Sequence, residues 1–441
     1  MRKLVLFLGL IAVGFTATAQ QSDALNLTLE QALEIAMSEN PTIKIADQEI
    51  EIKRYAKQGT YSSLYPKIDA TAQYQRVIEK QTMSMDFGGT TQSIKVGSDN
   101  SFSGGVTASM PIINAQLWTS LKVSALDVEL AVEQARSSRL DMVEQVTKAY
   151  YSVLLAKESF NVYKRVYDNA VENNKNVKKK YDVGSVSEYD LITSNVSVQN
   201  AIPNLFEAEN SVTLTLWQLK ALLGIDLTRN IDVVGSLMDY EQAMQYGYDL
   251  AQLNLDENST MKQLDLQTEQ LKKALKITKL ANVPTLSINA AYLYTALGND
   301  GKFFVRDAWN PYSYAGVQLN IPIFAGNAKR AATRQARLNL SNIELQRENT
   351  ERQLRVSIVQ CVNSMDTSVK QFHATNATVD QAKRGYDIAV KRYEVGSGTL
   401  VEIDNSQLAL TQAELSRNQS VYNFLTSKVA LDKILGNMEN K

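Results

Sequence analysis

Cysteine and histidine are nearly absent from this 441-residue chain: Cys361 and His373 are each the single example. One cysteine excludes an internal disulfide, so an exported chain of this composition must draw stability from packing or assembly. A lone histidine without a cysteine cluster excludes ordinary zinc chemistry. No G-x-x-x-x-G-K-[ST] phosphate loop and no nucleophile motif occurs, and Gly396-Ser397-Gly398 reads as a helix turn. Neither catalysis nor a cofactor is expected. Charge excess is missing too: 46 Lys+Arg against 47 Asp+Glu leave a net charge of −1. That removes the basic surface a nucleic-acid binder needs. With 7 prolines, 20 glycines and no low-complexity tract, extensive disorder is not expected. Past the N-terminal segment no window approaches ~18 consecutive apolar residues, so no helix is expected to span a membrane. What remains is an exported soluble protein, or one that crosses a membrane as β-strands.

Export is signalled at the start. Arg2-Lys3 precede an apolar run from Leu4 to Phe15, followed by Ala17-Thr18-Ala19 before Gln20. A basic start, a short apolar middle and an A-x-A site predict a secretory signal peptide over residues 1–19. No cysteine follows the cleavage site, so a lipid-anchored N-terminus is not supported.

Seven-residue periodicity dominates the rest. Ile358, Met365, Phe372, Val379, Tyr386 and Tyr393 form one series, and Leu354, Cys361, Ser368, Thr375, Ala382 and Ala389 form a second four residues ahead. This a/d pattern predicts a long helix seamed against a partner, with Cys361 as a buried structural thiol. The same seam occurs 212 residues earlier (Tyr181 against Tyr393), in the pairs Met142/Val146, Ala149/Val153, Ala156/Phe160, Tyr163/Tyr167, Ala170/Asn174 and Val177/Tyr181. Both runs end in Tyr-x-Val-Gly-Ser. The chain is therefore an internal duplication, with a first structural repeat over 20–235 and a second over 236–441. Each long helix should have about 66 residues, starting near Gln116 and near Asn327, and extend roughly 100 Å. Each return helix carries its own stripe and stops at Leu-Gly: Leu191, Val198, Leu205, Val212 and Leu219 before Leu223-Gly224; Ile403, Leu410, Phe424 and Leu431 before Leu435-Gly436. Pro203 should kink the first of them, and Arg417 interrupts the stripe of the second.

Ahead of each long helix lies a shorter helical stretch and a strand pair. Thr28-Leu29-Glu30-Gln31 reads as a capping box, and Asn40-Pro41 as the cap and first turn of a helix reaching about Ser62. The second half repeats this with a short helix from Asp239 to Leu253, then Glu257-Asn258-Ser259 opening a helix to about Ala281. The predicted hairpins occupy 66–111 and 284–322, with long polar tips at about 79–100 and 298–311. Ile68, Ala70, Ala72 and Tyr74 alternate with Asp69, Thr71, Gln73 and Gln75. Phe102, Gly104, Val106, Ala108 and Met110 alternate with small polar residues, and 286–292 and 317–321 repeat the pattern. Such strands have one apolar and one polar face.

Four strands pose a physical problem, because open sheet edges are not tolerated in hydrocarbon and the smallest membrane barrels need ~8 strands. If the strands span a membrane, several chains must pool them. Two chains would give eight strands with a lumen filled by side chains, and three would give twelve with room for a channel. The mixed helix seams fit staves of a hollow cylinder better than a solid bundle. Tyr61, Tyr65, Trp118, Tyr292, Tyr294, Tyr312, Tyr314 and Phe324 could supply an aromatic girdle at the membrane interfaces.

The duplicated order of helix, hairpin, long helix, Tyr-x-Val-Gly-Ser turn and return helix resembles the TolC-type outer-membrane efflux proteins. So does Leu27-Thr28-Leu29-Glu30-Gln31-Ala32-Leu33, followed by Glu39-Asn40-Pro41. The resemblance implies a mainly α fold with β: coiled-coil-like helices forming a periplasmic α-barrel, and four strands per chain joining a homotrimeric twelve-stranded barrel in the outer membrane. It further implies a passive exit duct for a tripartite efflux pump or type I secretion system. The partners would be a periplasmic adaptor protein and an inner-membrane pump of RND, ABC or MFS type. Ile231-Asp232-Val233-Val234 and the helix after Asp239 resemble pieces of the family's α/β belt. At the turns, the resemblance points to Tyr181, Asp190, Tyr393, Glu402 and Asn405 as lining of the periplasmic aperture. The family's arginine is replaced here by Gly398. Val183-Gly184-Ser185 and Val395-Gly396-Ser397 are the predicted docking surface for adaptor hairpins. On the residues alone, Asp190 and Glu402 could instead simply favour a helix first turn through its dipole. A periplasmic coiled-coil scaffold, its hairpins packed on its own helices, is the rival function.

Overall fold

The computed structural model describes residues 25–88, 90–244, 254–299 and 309–440. The predicted signal peptide, residues 245–253 of the predicted 239–253 helix, and most of the second hairpin tip lie outside them. The elements follow in the order β1 (Leu25–Leu27), α1 (Leu29–Glu39), α2 (Pro41–Ser62), β2 (Lys67–Arg76), β3 (Gln81–Phe87), β4 (Thr90–Val96), β5 (Asn100–Ile113), α3 (Ala115–Asp182) and α4 (Glu188–Leu223). Then come β6 (Ile231–Val233), a 3-10 helix (Leu237–Met244), α5 (Ser259–Leu280), β7 (Thr285–Gly298), β8 (Trp309–Asn320), α6 (Ala328–Glu394) and α7 (Leu400–Leu435). The long helices α3 and α6 contain 68 and 67 residues, as the heptads require. Where an α-helix was expected from Asp239, the described part is the 3-10 helix.

The chain divides into two units. One takes the residues up to Asn40, Gln145–Gln245 and Ser368–Leu425. Here α1 opens with the predicted capping box, in which Thr28 and Gln31 cap each other. Strands β1 and β6 pair in parallel, Leu25 to Ile231 through Leu27 to Val233. So short a ribbon cannot hold itself, and α3 fastens it. The Tyr150 hydroxyl lies 3.2 Å from the Leu27 carbonyl and 2.5 Å from that of Val234, and Lys157 donates to the Val233 carbonyl at 2.8 Å. Burial pushes the Tyr150 phenol up to about 12.

The seams are buried at part of the positions the periodicity names: Met142, Val146, Val153, Ala156 and Val177 on α3; Ile358, Met365, Phe372 and Val379 on α6; Ile403, Leu410, Phe424 and Leu431 on α7. Tyr163, Tyr167, Ala170 and Tyr386 are half-buried, and Tyr181 is exposed. Each fully buried large side chain contributes about 1.5–3 kcal/mol. Along α4 the buried positions before the last turns are small ones, Ser194, Ala201 and Ala208, while the larger Leu191, Val198, Leu205 and Val212 are only half-buried; of the predicted stripe Leu219 is fully buried. That helix continues through Pro203. Cys361 is half-buried rather than buried; of its neighbours in the series, Leu354 is half-buried and Ser368 buried.

The other unit takes Pro41–Glu144, Tyr246–Thr367 and the residues from Thr426 on. It holds an antiparallel sheet in the order β2-β5-β7-β8. The two predicted hairpins are joined side by side, Val106 opposite Tyr292 and Thr107 opposite Ala291. Register sorts the residues onto two faces. One carries Ile68, Ala70, Ala72, Phe102, Val106, Ala108, Ile288, Tyr292, Val317 and Leu319. The other carries Asp69, Thr71, Gln73, Ser103, Thr107, Ser109, Asn289, Gln318 and Asn320. Within the sheet, β2 and β8 each leave one edge unpaired. The proposed girdle splits: Tyr292 and Tyr294 lie on the apolar face with their hydroxyls 2.7 Å apart, while Tyr312 and Tyr314 fall on the polar face. The tip expected as a polar loop forms a second hairpin, β3 with β4, Met83 opposite Ile94. Among the described residues no helix is long and apolar enough to cross a membrane.

Candidate functional site at the helix-hairpin turns

Both long helices stop in the same way because both end on Tyr, an acidic residue, Val, Gly and Ser. At the first turn Gly184 takes φ +73, Ser185 N–H donates to the Lys180 carbonyl at 2.8 Å and Gly184 N–H to that of Tyr181 at 2.8 Å. At the second, Gly396 takes φ +77, with Ser397 N–H on Arg392 at 2.8 Å and Gly396 N–H on Tyr393 at 3.2 Å. This is a Schellman stop, and the left-handed position is open to glycine at no steric cost. Each turn leaves one apolar side chain in solvent: Val183 is 76% exposed and Val395 78%.

The return helices start differently. Ser187 and Asp190 form a capping box, the Asp190 carboxylate accepting from Ser187 N–H at 3.1 Å and from its hydroxyl at 2.8 Å. Asp190 is thus occupied at its own helix start, as the helix-terminus alternative requires. Its counterpart Glu402 receives only a backbone cap, Glu402 N–H on the Thr399 hydroxyl at 3.3 Å. The Glu402 carboxylate lies instead 3.2 Å from the Arg392 guanidinium. Arg392 also donates to the Ser397 carbonyl at 3.0 Å. A Cβ at Gly398 would stand 3.0 Å from the Arg392 Cβ, so the missing side chain there leaves room for the arginine across the turn.

A second cation joins the two turns. Lys180 Nζ, from α3, donates to the Tyr393 carbonyl at 2.9 Å and to that of Glu394 at 3.1 Å, and it sits 4.6 Å from the centre of the Tyr393 ring. These carbonyls belong to the last turn of α6, where the helix dipole favours a cation; that of Tyr393 also accepts from Gly396 N–H. Behind this contact Val177, Ala389, Leu400 and Ile403 form a buried cluster, with Val186, Leu191, Tyr386 and Tyr393 packed on it. The Tyr393 hydroxyl is enclosed without a hydrogen-bond partner among the described residues. Burial, and next the Asp190 carboxylate, raise its pKa. On α7, Asp404 accepts from the Ser197 hydroxyl of α4 at 2.9 Å, and burial raises its pKa.

Of the five sequence-predicted aperture residues, the structure brings Tyr393 together with Asp190, and Glu402 into an ion pair. Tyr181 is 39% exposed, and Asn405 is exposed with no side-chain hydrogen bond among the described residues. Lys180 and Arg392 were missed. Their one signal was a basic last turn on both long helices, Lys179-Lys180 and Lys391-Arg392.

The repeat-related helix ends are also tied by matching devices. Asn40 donates to the Leu222 carbonyl at 2.7 Å, and Asn258 to that of Ile434 at 2.7 Å. A Cβ on Gly224 would stand 2.9 Å from the Asn40 Cα, and one on Gly436 would collide with the Glu257 carbonyl.

The sequence profile of outer membrane efflux proteins matches residues 32–225 and 250–437, once over each repeat. Alkaline protease secretion protein AprF of Pseudomonas aeruginosa is 21% identical over 92% of this chain and 84% of its own length. The pyoverdine export outer membrane protein OpmQ of the same species is 24% identical over 85% and 77%. Outer membrane protein TolC of Escherichia coli is 20% identical over 100% and 88%. Among solved structures, the Campylobacter jejuni CmeC outer membrane channel superposes with a TM-score of 0.76 at 20% identity, over 93% of this chain and 85% of that one. Vibrio cholerae VceC gives 0.73 at 15%, over 92% and 96%. With the family profile matching once in each half and a shared fold, the chain belongs to the outer membrane efflux protein family and is an outer-membrane protein that extends into the periplasm.

Proposed function

We propose that three copies of the chain assemble into a passive exit duct, serving a tripartite efflux pump or a type I secretion system. The observation that carries this is the four-stranded sheet with one apolar face, one polar face and two unpaired edges. In lipid those edges must be closed, and joining β2 of one copy to β8 of the next closes all of them in a twelve-stranded barrel with a polar lumen. The heptad helices then form the wall of the periplasmic duct. The turns form its mouth, narrowed by Tyr181, Asp190, Tyr393, Glu402 and Asn405. Lys180 holds the two hairpins of each copy together, while Arg392 closes the second hairpin across its own turn. The exposed Val183 and Val395, with Gly184-Ser185 and Gly396-Ser397, offer small apolar knobs suited to the hairpin tips of a periplasmic adaptor. An inner-membrane pump behind that adaptor supplies the energy.

Purified protein added to a planar lipid bilayer should give discrete conductance steps. A folded protein that never conducts would support the periplasmic scaffold instead. Cysteines placed at Val183 and Val395 should cross-link to an adaptor tip. Absence of any cross-link in a functioning pump would remove the docking assignment.

A further inference from the structure

The last three turns of α2 line a cavity of about 590 Å³ together with α3, within the size range of small-molecule sites. Its lining is Arg54, Lys57, Gln58, Tyr61, Ser62, Tyr65 and, from α3, Val128. No carboxylate lines it. Lys57 is half-buried and has neither an ion pair nor a side-chain hydrogen bond among the described residues. Among the described residues Arg54 pairs with Glu51, one turn back on its own helix. Tyr61 and Tyr65 are 43% and 68% exposed.

The place of the cavity says what would meet it. Tyr65 lies two residues before β2 begins at Lys67, so in the exit-duct reading α2 ends at the periplasmic headgroup layer of the bilayer. Tyrosines and long cationic side chains are favoured at that depth, one end apolar and the other wet. The internal duplication supplies a control. At the repeat-related positions, 218 residues on, α5 and its flank hold Lys272, Leu275, Lys276, Lys279, Leu280 and Val283. Neither tyrosine is retained, although α5 leads into β7 through the same proline, so the fold at this junction does not require them.

We propose that this cavity binds the phosphodiester headgroup of an anionic phospholipid, Lys57 and Arg54 taking the phosphate and Tyr61 and Tyr65 flanking it. The assignment rests on the exit-duct reading.

Native mass spectrometry of the full-length protein, released from micelles containing phosphatidylglycerol or phosphatidylcholine, tests it, with inorganic phosphate as a third arm. Wild-type protein should retain phosphatidylglycerol over phosphatidylcholine. The double variant R54Q/K57Q should retain about tenfold less, each cation near an anionic surface counting severalfold. Val128→Trp, which fills the cavity and keeps both charges, should lose the lipid as well, and Lys272→Gln in the second repeat should change nothing. Equal retention by the double variant, or no preference between the two lipids, would overturn the site. Displacement of the lipid by millimolar phosphate would reassign it to a free anion. A protein that conducts in bilayers yet shows no preference loses this site alone. One that neither conducts nor takes lipid loses the exit-duct reading with it.

Discussion

Lys180→Met removes the ammonium that joins the two helix hairpins while keeping the length of its stem. The lost contacts are two charged hydrogen bonds, 2.9 and 3.1 Å long, and a cation–π contact at 4.6 Å. A charge-assisted hydrogen bond contributes about 1.5–3 kcal/mol, and an exposed cation–π contact about 0.5–1 kcal/mol. Lys180 is only half-buried, and solvent screening reduces the total to about 2 kcal/mol of coupling between the turns. If that coupling favours a narrow mouth, its loss shifts the ratio of narrow to wide states by about 30-fold. Single-channel recording is the assay. The variant should show a higher mean conductance or longer open times. A Lys180→Met trace indistinguishable from wild type, at unchanged melting temperature, would refute the reasoning.

Four further outcomes follow from the same geometry. Glu402→Ala frees Arg392 from its 3.2 Å partner and should alter conductance or ion selectivity in the same recordings, the mouth gaining net positive charge. Val106→Arg, on the apolar face, should weaken barrel assembly by about 2–4 kcal/mol, whereas Thr107→Arg on the polar face should be tolerated; equal tolerance in a heat-modifiability gel would favour the scaffold. Asn258→Ala removes both the cap on Met261 N–H and the donor to the Ile434 carbonyl, and should lower stability by about 2 kcal/mol in thermal unfolding. Because the Asp404 pKa is raised in the fold, its ionised form is the unfavourable one, and that cost is relieved as pH falls through the raised value. Asp404→Asn should therefore melt higher than wild type at pH 7, and the gain should fade as pH drops toward about 4.

Much of this architecture is legible in the sequence because its signals are long and repeated. Six heptads per helix outweigh local propensity, and Val177 and Ala389 are buried where the seam places them. Matched Asn-Pro and Glu-Asn-Ser starts and Leu-Gly stops mark the helix ends, but only the fold shows Asn40 and Asn258 reaching across to Leu222 and Ile434. The β1–β6 pairing joins two three-residue strands about 200 residues apart, too short for any periodicity to register. The β3–β4 hairpin reads in sequence as a polar loop because its tip is mostly polar, although Met83 and Met85 alternate with polar residues there. At the turns, chain order equates Asp190 with Glu402, yet one caps its own helix and the other pairs with Arg392. That divergence depends on where a long arginine side chain lies, which no spacing rule encodes. Lys180 is equally silent in sequence, being one of three consecutive lysines at the end of α3.

The central claim is that separate chains close one another's sheet edges. It is tested most directly by disulfide cross-linking in cells, in a Cys361→Ser background, between a cysteine at Ala70 on β2 and single cysteines scanned along β8 from Tyr312 to Leu319. The account predicts that at one register the chain runs as a covalent trimer on a non-reducing gel and reverts to monomer with reductant. Monomers at every register, from protein that is folded and exported, would contradict it.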